Sequence, residues 1–220
     1  MVVSIKCLAH ASFQITSERK IIYIDLENSG KASEKADLIL ITHSHSDHCD
    51  PEKISFVQKE DTVIVAPQDC ISKIAGRVKS ITPGEELIID DVKVRAIEAY
   101  NVTRFRSPGI PYHPKGYGVG YIIIVEDKTI YHAGDTDFIP EMRQLGHVDV
   151  ALLPTGDTYT MDNVEAAKAA IVINPKTVIP MHSWSTKRED FKEKIEADSN
   201  IKVVILREGE ELQLKNENRK

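Results

Sequence analysis

Residues 38–48 constrain this chain more than any other stretch. Leu38-Ile39-Leu40-Ile41 is a short, uninterrupted apolar run that leads directly into Thr42-His43-Ser44-His45-Ser46-Asp47-His48. A run of that kind reads as a buried strand. Three imidazoles and a carboxylate within six residues are costly to place at its end unless they have partners there. Imidazole nitrogen and carboxylate oxygen are the donors that suit zinc, manganese or iron. In an extended segment His43 and His45 project to one side, because side chains alternate with period two. A turn after them lets Asp47 and His48 face a second ion, so the spacing supplies two half-sites. The bland alternative, a solvated polar loop, is weakened by the strand that precedes the cluster and by partners further along the chain.

Two such partners follow apolar runs of their own. Asp135 closes Ile130-Tyr131-His132-Ala133-Gly134-Asp135, with Gly134 permitting close backbone approach. His182 follows Thr177-Val178-Ile179-Pro180-Met181. Strand ends converge on one edge of a sheet, which is where ligands distant in sequence gather. Further short apolar runs at 21–25, 62–66, 92–97, 120–125, 148–153 and 203–206 also read as strands. Pro83-Gly84, Asp90-Asp91 and Asp127-Lys128 read as turns joining antiparallel neighbours. Asp162 with Glu165 forms a capping-box pattern ahead of a helix that Pro175 closes, and 187–197 spaces Phe191 and Ile195 for a surface helix. Segments 51–59 and 69–74 are shorter helical candidates. Strands with interspersed helices imply an α/β (α+β) fold of layered sheets and helices. The length of 220 residues suits a single domain over 1–214, followed by a polar tail at 215–220.

Composition narrows the function. A formal net charge of −6 gives no bulk attraction to DNA, RNA or an anionic membrane. No apolar stretch approaches the length needed to span a bilayer. Residues 1–16 lack a basic segment followed by a long apolar run, and the three irregularly spaced cysteines suggest no disulfide framework. The expectation is a cytoplasmic protein acting on a small molecule, with a homo-oligomer left open. Cys49, next to the histidine cluster, is read as a small residue in a tight loop, with a ligand or redox-sensitive thiol as the alternative.

The string Thr-His-Ser-His-Ser-Asp-His, the later Gly134-Asp135-Thr136 and the Pro180-Met181-His182 segment together resemble the metallo-β-lactamase-fold superfamily. Leu8-Ala9-His10-Ala11-Ser12-Phe13, Ile24-Asp25 and Ala151-Leu152-Leu153-Pro154 extend the likeness over about residues 4–206. The branch it resembles holds metal-dependent hydrolases related to ascorbate-phosphate lactonases and the N-acyl-phosphatidylethanolamine phospholipase D group. The resemblance implies a four-layer αβ/βα sandwich. It also implies two divalent metal ions, zinc first, with manganese or iron as alternatives. His43 and His45 would hold the first, Asp47, His48 and His182 the second, and Asp135 would bridge them. Asp25 would support the ligand loop, and His10 would contact that loop or the substrate, with a buried structural role as the alternative. His132 and His147 are read as structural and surface residues.

One departure stands out. Relatives place the first metal's third histidine in a segment like Pro-Ala-Xaa-His after the strand at 92–97, whereas this chain reads Glu98-Ala99-Tyr100-Asn101. His113 is the favoured substitute; the alternatives are that it contacts substrate, or that Asn101 leaves this metal weakly held. The loop 101–116 also carries Arg104, Arg106 and Lys115, read either as cations for an anionic substrate or as a solvated basic loop. Thr158 and Tyr159 are read as bordering the pocket. The expected activity is hydrolysis of a phosphodiester or a lactone or ester in a small anionic substrate, a phosphorylated one among the options. A metal-bridging hydroxide would attack and Asp47 would serve as the catalytic carboxylate. An iron-dependent redox or dioxygenase protein and a non-catalytic metal-stabilised binding module are the competing classes.

Overall fold

Short apolar runs become strands, and alternation along each strand sorts its side chains into layers. The computed structural model describes residues 2–215. The first half contains β1 (Val2–Cys7), β2 (Phe13–Thr16), β3 (Ile21–Ile24), β4 (Leu38–Leu40), α1 (Pro51–Val57), β5 (Val63–Ala66), α2 (Gln68–Ile71) and β6 (Arg77–Ser80). The second half opens with β7 (Glu86–Ile89), β8 (Val92–Ala99) and a small ribbon of β9 (Phe105–Ser107) and β10 (Ile110–Pro111). It continues with β11 (Gly118–Val125), β12 (Lys128–His132), a 3₁₀ helix (Pro140–Gln144), β13 (Val150–Pro154), α3 (Asn163–Ile173), β14 (Thr177–Met181), α4 (Arg188–Asp198), β15 (Lys202–Val203) and β16 (Glu211–Lys215).

The two large sheets share one plan. The first runs β16-β1-β2-β3-β4-β5-β6 and the second β15-β14-β13-β12-β11-β8-β7. Each has three antiparallel pairings on one side and three parallel ones on the other. Parallel strands need both faces covered, and the burial shows how that is met. Ile22, Ile24, Leu38, Leu40, Val63 and Val65 face a core shared with Val119, Tyr121, Ile123, Leu152 and Ile179 of the other sheet. Their neighbours Tyr23, Ile39, Ile41 and Ile64 face outward, onto Ile54 and Val57 of α1 and Cys70 of α2. In the second sheet Ala151, Leu153 and Val178 face outward onto the alanines of α3 and onto Phe191 and Ile195 of α4. The result is a four-layer αβ/βα sandwich. Phe191 and Ile195 are fully buried, and each stabilises the α4 contact by about 1.5–3 kcal/mol.

The structure revises several details of the sequence reading. Pro83-Gly84 does not close a hairpin: β6 and β7 lie in different sheets, so that turn carries the chain between layers. The run 203–206 yields only the two-residue β15. Lys215 is not tail but the last residue of β16, paired with Val2; 216–220 lie outside the described residues. Asp162 caps α3 by accepting from the Glu165 N–H at 2.7 Å. The Glu165 carboxylate, however, turns away to Phe138 N and Arg104, so the capping box is only half formed. The edge strands β6, β7 and β16, and β1 beside β16, mix polar and apolar residues, and the apolar-run criterion does not find them.

Candidate metal centre

The site forms outside the carboxyl ends of the parallel strands, where open α/β sheets gather ligands. Asp25 follows β3, Thr42 and His43 follow β4, Asp135 follows β12 and His182 follows β14. Two of these residues occupy left-handed backbone, Asp25 at φ 52° and His182 at φ 50°. Such conformations cost energy for non-glycine residues and persist where the surroundings hold them. Here Asp25 N–H bonds Leu40 O, and His182 N–H bonds His10 O at 2.7 Å.

Donor atoms converge in two groups. His43 Nε2 and His113 Nε2 lie 3.0 and 3.3 Å from His45 Nδ1. In the second group His48 Nε2 and His182 Nε2 lie 3.7 and 3.8 Å from Asp47 Oδ2. Asp135 stands between them. Its Oδ2 is 3.4 Å from His113 Nε2, 4.0 Å from His43 Nε2 and 3.2 Å from His182 Nε2, and its Oδ1 is 3.5 Å from His48 Nε2. Ligands at the usual 2.0–2.1 Å around a tetrahedral ion stand about 3.3 Å apart, so these spacings fit metal coordination.

Hydrogen bonding on the far side of the His43 and His48 rings supports the same conclusion. Thr42 Oγ1 has one proton, which it donates to Asp25 Oδ2 at 2.7 Å. It therefore accepts from His43 Nδ1 at 3.0 Å, which leaves the His43 Nε2 lone pair facing inward. Asp25 Oδ2 also lies 2.7 Å from His48 Nδ1 and leaves that ring's Nε2 facing inward. Carboxylate-supported imidazoles are the usual outer arrangement of a metal site. His48 Nε2, Asp135 Oδ1 and both ring nitrogens of His182 are buried without a hydrogen-bond partner. Buried polar atoms left unpaired are expensive, and cations between the donor groups would satisfy His48 Nε2, Asp135 Oδ1 and His182 Nε2.

The electrostatics suit a cation as well. Burial pushes His43 well below the usual imidazole range, reinforced by His48, so it stays a neutral donor. Burial, opposed by the Asp135 carboxylate, takes His113 down to about 4. Burial alone would raise Asp135, but His182 and His48 hold its carboxyl well below the ordinary range. Burial would likewise lower His48, yet Asp135 and Asp25 raise it well above an ordinary imidazole. A metal ion competes for the place of that proton. His10 packs its ring on His182 and Trp184, at 4.8 and 4.9 Å between centroids. Its Nδ1 is 2.7 Å from Glu27 and its Nε2 3.4 Å from Asp47. Burial alone would lower His10, but Asp47 and Glu27 raise it to about 9.

A cavity of about 380 Å³ opens onto these groups, lined by His45, Asp47, His113, Asp135 and His182 together with Arg106, Tyr112, Tyr159 and Trp184. Of the three cations in the 101–116 loop, only Arg106 lines it. Arg104 is committed elsewhere: its guanidinium pairs with Asp137, Glu165 and Asp157. Lys115 pairs with Glu141 at 2.8 Å and lies over the Tyr100 ring. The reading of Arg104 and Lys115 as substrate cations is therefore corrected, because each has carboxylate partners outside the cavity. Asn101 does not face the donor cluster but accepts from the His113 N–H at 2.8 Å. Thr158 does not line the cavity, whereas Tyr159 does. Cys49 is buried in the outer core with Cys70 and belongs to neither donor group among the described residues. His132 is structural, bonded to Ala11 O and Gly134 N.

The sequence reading missed Thr42 as a bridge, Glu27, Asp137 and Trp184. Trp184 is the sole tryptophan, two residues beyond His182 and 61% exposed. Asp137 had a visible signal, a second aspartate two residues after Asp135.

Residues 4–182 match the model of the beta-lactamase superfamily domain. A UPF0173 metal-dependent hydrolase of Thermococcus kodakarensis is 37% identical, covering 96% of this chain and 100% of that protein. The chain belongs to the UPF0173 metal-dependent hydrolase family of the beta-lactamase superfamily. A solved structure from Parabacteroides distasonis, of a protein named as a metal-dependent hydrolase, superposes with a TM-score of 0.86. It is 38% identical, and the match covers 94% of each chain. The metallo-beta-lactamase fold protein YhfI of Bacillus subtilis is only 11% identical yet gives a TM-score of 0.76, over 96% of this chain and 99% of its own. The fold of this family member is thus the metallo-β-lactamase fold. No helix among its described residues is long and apolar enough to cross a membrane.

Proposed function

We propose that this chain is a binuclear metal-dependent hydrolase that cleaves a phosphodiester or a lactone or ester bond in a small anionic substrate. The observation that carries the reading is the convergence of two donor groups on Asp135, at the floor of a cavity with a single cation on its wall. His43, His45 and His113 would hold one ion, Asp47, His48 and His182 the other, and Asp135 both. Zinc suits these nitrogen and oxygen donors first, with manganese or iron as alternatives. Two such cations would acidify a water molecule and polarise the bond under attack.

The chain's own residues supply the rest. Asp47 lies on the cavity wall with 35% of its side chain exposed, and it orients the attacking water and carries its proton towards the leaving group. Arg106, whose guanidinium donates to Tyr112 O at 3.3 Å and has no carboxylate partner among the described residues, binds the anionic group of the substrate. Tyr112, Tyr159 and Trp184 form an aromatic wall that accepts a flat or apolar substituent. The three cysteines are all unbridged, in keeping with a cytoplasmic setting.

The test is elemental analysis of protein purified without added metal, with phosphodiester and lactone hydrolysis assayed on the same sample. Two zinc or manganese ions per chain with cleavage of either substrate class is the expected result. Protein that takes up no metal, or holds two ions and cleaves neither class, refutes the proposal.

A further inference from the structure

Asn101 lies just beyond β8, where the resemblance to other superfamily members calls for a histidine, and its amide has only one satisfactory orientation. Nδ2 lies 3.0 Å from Asp137 Oδ1 and 2.9 Å from Tyr159 O, both acceptors, so the nitrogen faces them. The oxygen then faces His113, accepting its backbone N–H at 2.8 Å and lying 2.9 Å from ring Nδ1. An amide oxygen only accepts, so that ring nitrogen carries the proton. Nε2 is left with its lone pair, directed at His45 Nδ1 and Asp135 Oδ2.

Behind Asn101 stands Asp137, whose side chain is fully buried. Its Oδ1 receives the Asn101 amide and the Arg104 guanidinium at 3.0 and 2.9 Å. Its Oδ2 receives the N–H groups of Val102 and Thr103, both at 2.7 Å, and the Thr103 hydroxyl at 2.9 Å. Arg104 continues to Glu165 of α3 at 2.6 Å. Five donors on one carboxylate pin the turn that precedes the β9–β10 ribbon, and His113 lies just beyond that ribbon. Asp137 is also only two residues from Asp135, so one short segment holds both the shared carboxylate and the anchor of His113.

We propose that Asp137, acting through Asn101, is a positioning residue for His113, setting the tautomer and aim of its ring so that Nε2 faces the first donor group. A histidine twelve residues later in the chain thereby fills the place that a histidine at 101 would take. The inference rests on the reading of His113 as a metal ligand. It also gives Arg104 a role in holding Asp137 rather than in binding substrate.

The experiment compares wild-type protein with Asn101→Leu, Asp137→Asn and His113→Ala. Zinc stoichiometry and the affinity of each equivalent are measured by chelator competition, and the His113 tautomer is read from ¹⁵N shifts of the zinc-free protein. Asn101→Leu and Asp137→Asn are expected to weaken one of the two equivalents about 10–100-fold and leave the other unchanged. The Nδ1–H form of His113 gives way to a mixture in both. A merely structural anchor would lower the melting temperature without moving the tautomer. If both variants keep both equivalents within twofold of wild type while His113→Ala loses one, the positioning role is overturned and the ligand reading stands. If His113→Ala keeps both equivalents, the ligand reading itself fails and the positioning role with it. Should Asp137→Asn not fold, Asn101→Leu, near-isosteric and leaving the Arg104–Glu165 pair in place, decides the matter alone.

Discussion

Gly156 tests how finely the backbone sets His182. It follows Thr155 at the end of β13, directly against the loop that carries the histidine. A Cβ at this position would fall well inside 3.0 Å of the His182 carbonyl oxygen, with His182 Nδ1 at 3.2 Å and Thr160 Oγ1 at 3.3 Å. The worst contact is with backbone, so no side-chain rotation relieves it; Gly156→Ala must displace His182 by roughly half an ångström or more. His182 has little freedom to absorb this, being held at φ 50° with its N–H on His10 O. Overpacking of this kind costs about 1–3 kcal/mol, and each kcal/mol lowers the melting temperature by about 2–4 °C in a domain of this size. The larger effect falls on the site. Nε2 lies 3.2 Å from Asp135 Oδ2, and a misplacement of about 1 Å costs roughly 100-fold in rate, so a loss of about 10–100-fold in kcat/KM is expected. Gly146→Ala is the control: its φ is 81° but nothing lies within 4 Å of the added methyl. It should cost about 1–2 kcal/mol of backbone strain and leave turnover intact. Hydrolysis of whichever substrate class the wild type cleaves, zinc affinity and melting temperature would be measured on both. Wild-type turnover and zinc affinity in Gly156→Ala, or equal losses in both variants, would refute the reasoning.

Three further outcomes follow from the site. Asp47→Asn should keep the melting temperature within a few degrees but lose about 100-fold or more of kcat, read by steady-state kinetics; near-normal kcat would remove its proton-transfer role. Arg106→Ala should raise KM about tenfold for an anionic substrate and leave a neutral ester of the same shape unaffected, whereas Arg104→Ala should act chiefly on stability. Burial alone would raise the Asp137 carboxyl, but the N–H groups of Thr103 and Val102 and the Asn101 amide hold it below the usual range. A carboxyl lowered in the folded state contributes stability that is present above its unfolded pKa of about 3.9 and is lost as pH falls through the folded value. Wild-type melting temperature should therefore fall below about pH 4 more steeply than that of Asp137→Asn, and parallel acid limbs would contradict this.

Much of this protein is legible in the sequence for local reasons. An uninterrupted apolar run can be buried only within a layered fold, so Leu38–Leu40 and its counterparts mark their own strands. Alternation places His43 and His45 on one side whatever the rest of the chain does. The same local logic misses the edge strands β6 and β16 and the strand β1 beside β16, because the β1–β16 pairing is decided between segments far apart in sequence. It also misreads Pro83-Gly84, because a turn's chemistry does not say which sheet the next strand joins.

The sequence by itself determined the donor types, their spacing in the first cluster and the strand-end positions of Asp135 and His182, because these depend on residue chemistry and a two-residue period. Only the tertiary structure decided what the loop 101–116 does. Arg104, Arg106 and Lys115 are alike as cations in a string of letters. Burial and distant carboxylates separated them, drawing Arg104 to Asp137 and Lys115 to Glu141 and leaving Arg106 on the cavity wall. The same folding brought His113 to the donor cluster through Asn101 and Asp137, contacts spanning 12 and 36 residues, a range at which local pattern carries no information and only packing does.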